Sequence, residues 1–174
     1  MKGKIQQTAQ TAVEPGTYVA KLTRVTAWLT TKFQSEDMEP TLTFVWELEG
    51  ETTNLYDSFI RIPLDQDGYP ALKEVGKLYN RLSALYGSRF KVDEQLNWEL
   101  ILPEAYDSPE GLMSLPTYEE RKEEGFRPIE VRSIKVAGRE LIGGQCLLVV
   151  GEKNGRIRVL EAGPLPRTGR QSLY

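Results

Sequence analysis

Helical periodicity surfaces at one long stretch of this chain, and that restricts the fold more than any other feature. Between residues 71 and 86, Leu72, Val75, Leu78, Tyr79, Leu82, Leu85 and Tyr86 recur at steps of three and four, with Pro70 at the expected start and Gly87 at the expected end. Lys73, Lys77, Asn80 and Arg81 fall on the opposite face, which predicts a solvated side. Elsewhere the readable period is two. Leu42, Phe44, Trp46 and Leu48 alternate with Thr43, Val45 and Glu47, the pattern of a half-buried strand with both rings in the core. Before it, Thr17 to Phe33 reads as a strand too long to run straight, so a bulge is expected near Thr26-Ala27. After it, Thr53 to Ile62 is a third strand, closed by Pro63 and a turn at Asp65-Gln66-Asp67-Gly68. Strands resume at Glu130 to Val136, and Gln145 to Val150 and Arg156 to Glu161 flank Asn154-Gly155, a strong hairpin signal.

Three strands, a helix and a hairpin is the element order of the OB-fold, a five-stranded Greek-key barrel capped by one helix. The expectation is a mainly β, single OB-like domain over residues 1–174, with the barrel at about 14–90 and 130–162. Its core should include Phe44, Trp46, Leu78 and Leu82. Prolines at 103, 109, 116 and 128 break residues 91–129 into an irregular insertion, where Thr117 to Glu124 offers one short helix with a Thr117/Glu120 capping box. Residues 163–174 read as an extended tail.

Chemistry is limited by what the chain lacks. It has no histidine, which removes Ser-His-Asp and Cys-His nucleophile systems and imidazole metal ligands. Its one cysteine, Cys146, makes no internal disulfide or CxxC pair, which fits a reducing cytoplasmic setting. The longest uninterrupted apolar run, Cys146 to Val150, is far below the roughly 18 residues of a membrane span. No signal peptide is readable. Asp65-Gln66-Asp67-Gly68 fails as a calcium loop because Pro70 and Gly76 occupy the positions that need glycine and a bidentate glutamate. The pairs Glu119-Glu120 and Glu123-Glu124 lie in a strongly charged stretch without apolar neighbours in sequence, and no phosphate-cradling glycine motif occurs. No enzyme, metal or cofactor is expected.

The net charge of −3 hides a blockwise distribution: residues 36–60 carry seven acids and no base, and residues 92–126 carry ten acids against two bases. The other three blocks are basic. Aromatic and basic residues interleave in the barrel strands: Tyr18, Lys21, Arg24, Trp28, Lys32 and Phe33 in the first, Tyr56, Phe59 and Arg61 in the third, and Lys153, Arg156 and Arg158 around the last hairpin. Exposed rings stack bases while Lys and Arg track phosphates, which is the chemistry single-stranded nucleic acid requires. In a barrel about half of these rings must instead be core. By parity, Tyr18, Arg24 and Trp28 point away from Val19, Val25 and Leu29, which makes Trp28 a candidate exposed platform. Leu22 shares that outward parity and weakens the assignment.

The segments Pro15-Gly16-Thr17-Tyr18-Val19-Ala20 and Leu42 to Gly50, the helix end Leu82-Ser83-Ala84-Leu85-Tyr86-Gly87, and Gly144 to Val150 followed by Leu165-Pro166 resemble bacteriophage-type single-stranded-DNA-binding proteins. The resemblance covers about residues 14–90 and 140–166. It implies an OB-fold and a place in replication or recombination. The tail departs from it, since Pro166 to Tyr174 is basic where such proteins often end in an acidic partner-recruiting tail. The expected function is therefore non-catalytic, sequence-tolerant binding of single-stranded DNA, with homo-oligomerisation in prospect. The alternative is a β-rich structural or adaptor protein. In either case residues 92–126 are placed to dock a protein partner or to shield the groove.

Overall fold

The computed structural model of the protein describes residues 13–92 and 98–166. It is mainly β, with two antiparallel sheets. The first strand, β1 (Gly16–Thr31), pairs along most of its length with β2 (Met38–Leu48), which pairs with β3 (Leu55–Arg61). Near its start β1 pairs on its other side with β8 (Gln145–Lys153), and β8 pairs with β9 (Arg156–Gly163). The order of the main sheet is thus β3-β2-β1-β8-β9, with the short β5 (Ile129–Glu130) alongside β1. The β8–β9 turn is Asn154-Gly155, both at positive φ (54° and 77°), as a tight hairpin with right-handed strand twist requires.

Phe44, Trp46, Leu78 and Leu82 are all buried in one contiguous core, as their spacing predicts. Helix α1 (Gly76–Tyr86) lies between β3 and β8 in sequence, and Gly87 ends it with φ 101° and an amide bond to the Ser83 carbonyl. It is shorter at its start than expected. Pro70 bridges Leu64 in a β-type pairing and Gly76 takes φ 92°, so residues 71–75 remain outside the helix.

The expected closed five-stranded barrel does not form. Among the described residues no ladder joins β3 to β9, and α1 spans the gap with side chains. Arg81, assigned by periodicity to the wet face, is buried: its Nε and Nη2 donate to Asp57 of β3 at 2.7 and 3.1 Å. Trp46 Nε1 donates to the same carboxylate at 3.2 Å. Neighbouring Asn80 accepts from Arg81 Nη1, accepts from the Ala162 amide of β9 and donates to the Ala162 carbonyl. This chain from β2 through β3 and α1 to β9 stands where a backbone ladder would close a barrel.

The insertion is more regular than its prolines suggest. It holds β4 (Trp98–Ile101), a 3-10 turn at Glu104–Tyr106, the short α2 (Pro109–Leu112) and a second 3-10 turn at Tyr118–Lys122 whose Thr117/Glu120 capping box is present. The expected strand over 130–136 divides, with β5 joining the main sheet and β6 (Ser133–Val136) pairing with β4 and β7 (Arg139–Glu140) in the second sheet. The Val131 amide bonds to Val25 and the Arg132 amide to Ile101, so consecutive residues tie the two sheets together. Leu102, Leu112, Leu115, Ile134 and Leu141 join the same core as the main sheet. Among the described residues no helix is long and apolar enough to cross a membrane. Of the expected tail, residues 167–174 lie outside the described residues.

Candidate nucleic-acid interface

The bulge in β1 decides which side chains share a face. Its register shifts between Leu22 and Arg24, earlier than the expected Thr26-Ala27. Upstream, Ala20 and Leu22 point into the core and half-buried Tyr18 packs on the same side, donating its hydroxyl to the Glu14 carbonyl at 2.6 Å. Downstream, Val25, Ala27 and Leu29 take over the core side, leaving Arg24, Thr26 and Trp28 on the outer face. One alternation cannot hold across an extra residue, so Tyr18 and Arg24, expected on one face, lie on opposite faces.

Trp28 does face away from the main core, but it is buried, at 6% exposure. The reason is a second layer. Phe126 stacks on its ring at a centroid distance of 5.6 Å and 24°, Tyr118 makes a T-shaped contact with it at 5.3 Å and 80°, and its Nε1 donates to Thr26 Oγ1 at 2.9 Å. Trp28 as found is not an exposed platform. Its cavity, about 350 Å³, is lined by Arg24, Thr43, Tyr56, Ser58 and Arg121 among others.

A second cavity, about 200 Å³, occupies the seam between β3 and β9. Tyr56, Asp57, Ser58 and Phe59 face Arg156, Ile157, Arg158 and Val159 across it, with Lys77 of α1 and Tyr118 completing the wall. Phe59 sits at φ 62° within a bulge of β3, a conformation that a bulky residue adopts rarely and that recurs at functional sites. Its half-exposed ring meets the edge of Tyr118 at 4.9 Å, and Arg121 lies 3.8 Å from the Tyr118 ring centroid. Burial lowers the Lys77 ammonium from its ordinary value; Asp57 opposes this, whereas Arg81, Arg158 and Lys153 add to it. The seam therefore brings Lys77, Arg156 and Arg158 together beside exposed rings.

Of the ten site residues expected from sequence, Arg24, Trp28 and Tyr56 line the outer-face cavity, and Tyr56, Arg156 and Arg158 line the seam. Lys153 stands at the hairpin opposite Arg156, close enough to act on Lys77. Lys21 is exposed opposite Glu47 and Gln145, and Lys32 is exposed beyond the end of β1. Arg61 pairs with Glu39 at 3.1 Å on the exposed edge of β3. These three and Tyr18 line neither cavity. Sequence reasoning missed Lys77, Tyr118, Arg121 and Phe126. Tyr118 and Phe126 carried one legible signal: they bracket four glutamates in a stretch with no core of its own. The Asp65 turn is as expected, its carboxylate accepting the amides of Asp67 and Tyr69. No cluster of potential metal ligands occurs among the described residues. No protein family, curated protein or solved structure matches the chain.

Proposed function

We propose that the protein binds single-stranded DNA without catalysis and with little sequence preference, in support of replication or recombination, on an OB-like scaffold. The observation that carries this reading is the seam, where the exposed rings of Tyr56 and Phe59 stand across from Arg156 and Arg158 with Lys77 beside them. Every base offers a π-face to such rings and every nucleotide a phosphate to such cations, so this chemistry binds strands and tolerates sequence. The order β3-β2-β1-β8-β9, with α1 between β3 and β8, also fits an OB barrel left open at its last seam. In that fold the face of the second and third strands and the last hairpin loop contact oligonucleotides, and here they supply Tyr56, Phe59, Lys153 and Arg156.

The test is a salt titration of oligo-dT binding beside duplex. Affinity should fall with a log–log slope of about −0.7 per phosphate neutralised, and Arg156→Ala and Arg158→Ala should each flatten it by about one such increment. Tyr56→Ala should weaken binding by about 1–3 kcal/mol while leaving stability nearly unchanged, since the ring is 56% exposed. A flat salt dependence, or no binding at low salt, would favour the adaptor role through residues 92–126.

A further inference from the structure

We infer that the Trp28 cavity is a latent base-stacking subsite, occupied in cis by a strap that single-stranded DNA displaces. This rests on the proposed function and adds a second subsite with its own control. Residues 116–131 are sewn to β1 at both ends: the Leu29 amide bonds to the Pro116 carbonyl, Ala27 and Thr26 pair with Ile129 and Glu130, and the Val131 amide bonds to Val25. Between these anchors the attachment changes character. Among the described residues, the hydrogen bonds of 118–128 run within the strap or to Thr117. What holds the middle of the strap to the sheet is chiefly the two rings, Phe126 stacked on Trp28 and Tyr118 in T-shaped contact with Trp28 and Phe59.

Two rings over a tryptophan, with Arg24 of β1 at the cavity wall, occupy the places that a base and its phosphate would take. The strap also carries Glu119, Glu120, Glu123, Glu124 and Glu130 against Arg121, Lys122 and Arg127. It therefore brings rings and a net negative charge to the same face, the two attributes of the proposed ligand. A strap held mainly by ring contacts, each a modest interaction, can be exchanged for bases without unfolding the sheet. Its anchors keep it close by, so it competes as an intramolecular ligand at high effective concentration.

The experiment uses the full chain and oligo-dT. Phe126 touches Trp28 but does not line the seam, so Phe126→Ala removes one ring of the strap and leaves the seam residues intact. It should tighten oligo-dT binding by about 2- to 12-fold. In the unaltered protein, saturating oligo-dT should speed tryptic cleavage after Arg121 and Lys122, read by mass spectrometry, because the displaced strap becomes accessible. Oligo-dT binding with cleavage slowed or unchanged, or weakened by Phe126→Ala, would overturn the inference and make the strap a fixed part of the platform. No binding by either protein would overturn the functional reading and this inference with it.

Discussion

Asp57→Ala is the most informative single change, because one carboxylate serves three elements. Its removal leaves the Arg81 guanidinium, 2% exposed, without both of its charge-assisted bonds, and leaves Trp46 Nε1 without an acceptor in the core. Breaking one side of a buried ion pair costs about 3–5 kcal/mol, and the lost indole bond about 1 more, so the variant should lose roughly 4–6 kcal/mol. In a chain of 174 residues that corresponds to a fall in Tm of roughly 8–24 °C. Urea denaturation and thermal melting of Asp57→Ala, Arg81→Met and the double variant Asp57→Leu/Arg81→Met form the test. The double variant removes the stranded charge and should recover most of the loss, apart from the Trp46 N–H. A loss below about 1 kcal/mol for Asp57→Ala, or a double variant no more stable than the single, would refute the claim that this network fastens α1 across the seam.

Trp28→Ala should cost about 3–5 kcal/mol in denaturant unfolding, since the ring is buried between sheet and strap; a loss below about 1 kcal/mol would mean that the strap does not cover it. Burial pushes the Cys146 thiol up to about 12, with Arg81 opposing and Asp57 adding, so a thiol reagent at pH 8 should label it only as fast as the protein unfolds. Burial alone would raise the Glu140 carboxyl, but hydrogen bonds from Ser133 and the amides of Ile134 and Ile142, with Lys135 nearby, hold it below its ordinary value. Its contribution to stability is then complete above the ordinary carboxylate range and lost as pH falls through its lowered value, and Glu140→Gln should flatten stability against pH across that acid interval.

The core-facing half of the alternation at 42–48, the Asn154-Gly155 hairpin and the Gly87 cap were legible because each is a local rule that its neighbours reinforce, whereas Thr43 and Val45, expected on a half-buried strand's outer face, are themselves buried. Three failures share a different cause. Arg81 looked solvated because periodicity assigns a face and cannot know that Asp57, far away in sequence, waits beneath it. Tyr18 was put on the wrong side because one bulged residue, Thr23, reverses the parity of everything before it, and bulges have no fixed sequence signature. Trp28 was given the right face but the wrong exposure, since alternation describes one sheet and the strap adds a layer. The seam cations Arg156 and Arg158 were named from composition, whereas Lys77 needed the helix to be docked before it could join them.

The open seam has a meaning for self-association as well. An unclosed sheet has two edge strands whose free amides and carbonyls can recruit another chain, the usual first step towards ordered aggregates. Here the two edges, β3 and β9, face the same gap. At Ala162, where β9 would offer both an amide and a carbonyl, the Asn80 side chain occupies the two of them. The chain thus leaves its main sheet open at this gap with one outward amide and carbonyl of β9 already taken, and Asn80 is the residue that takes them.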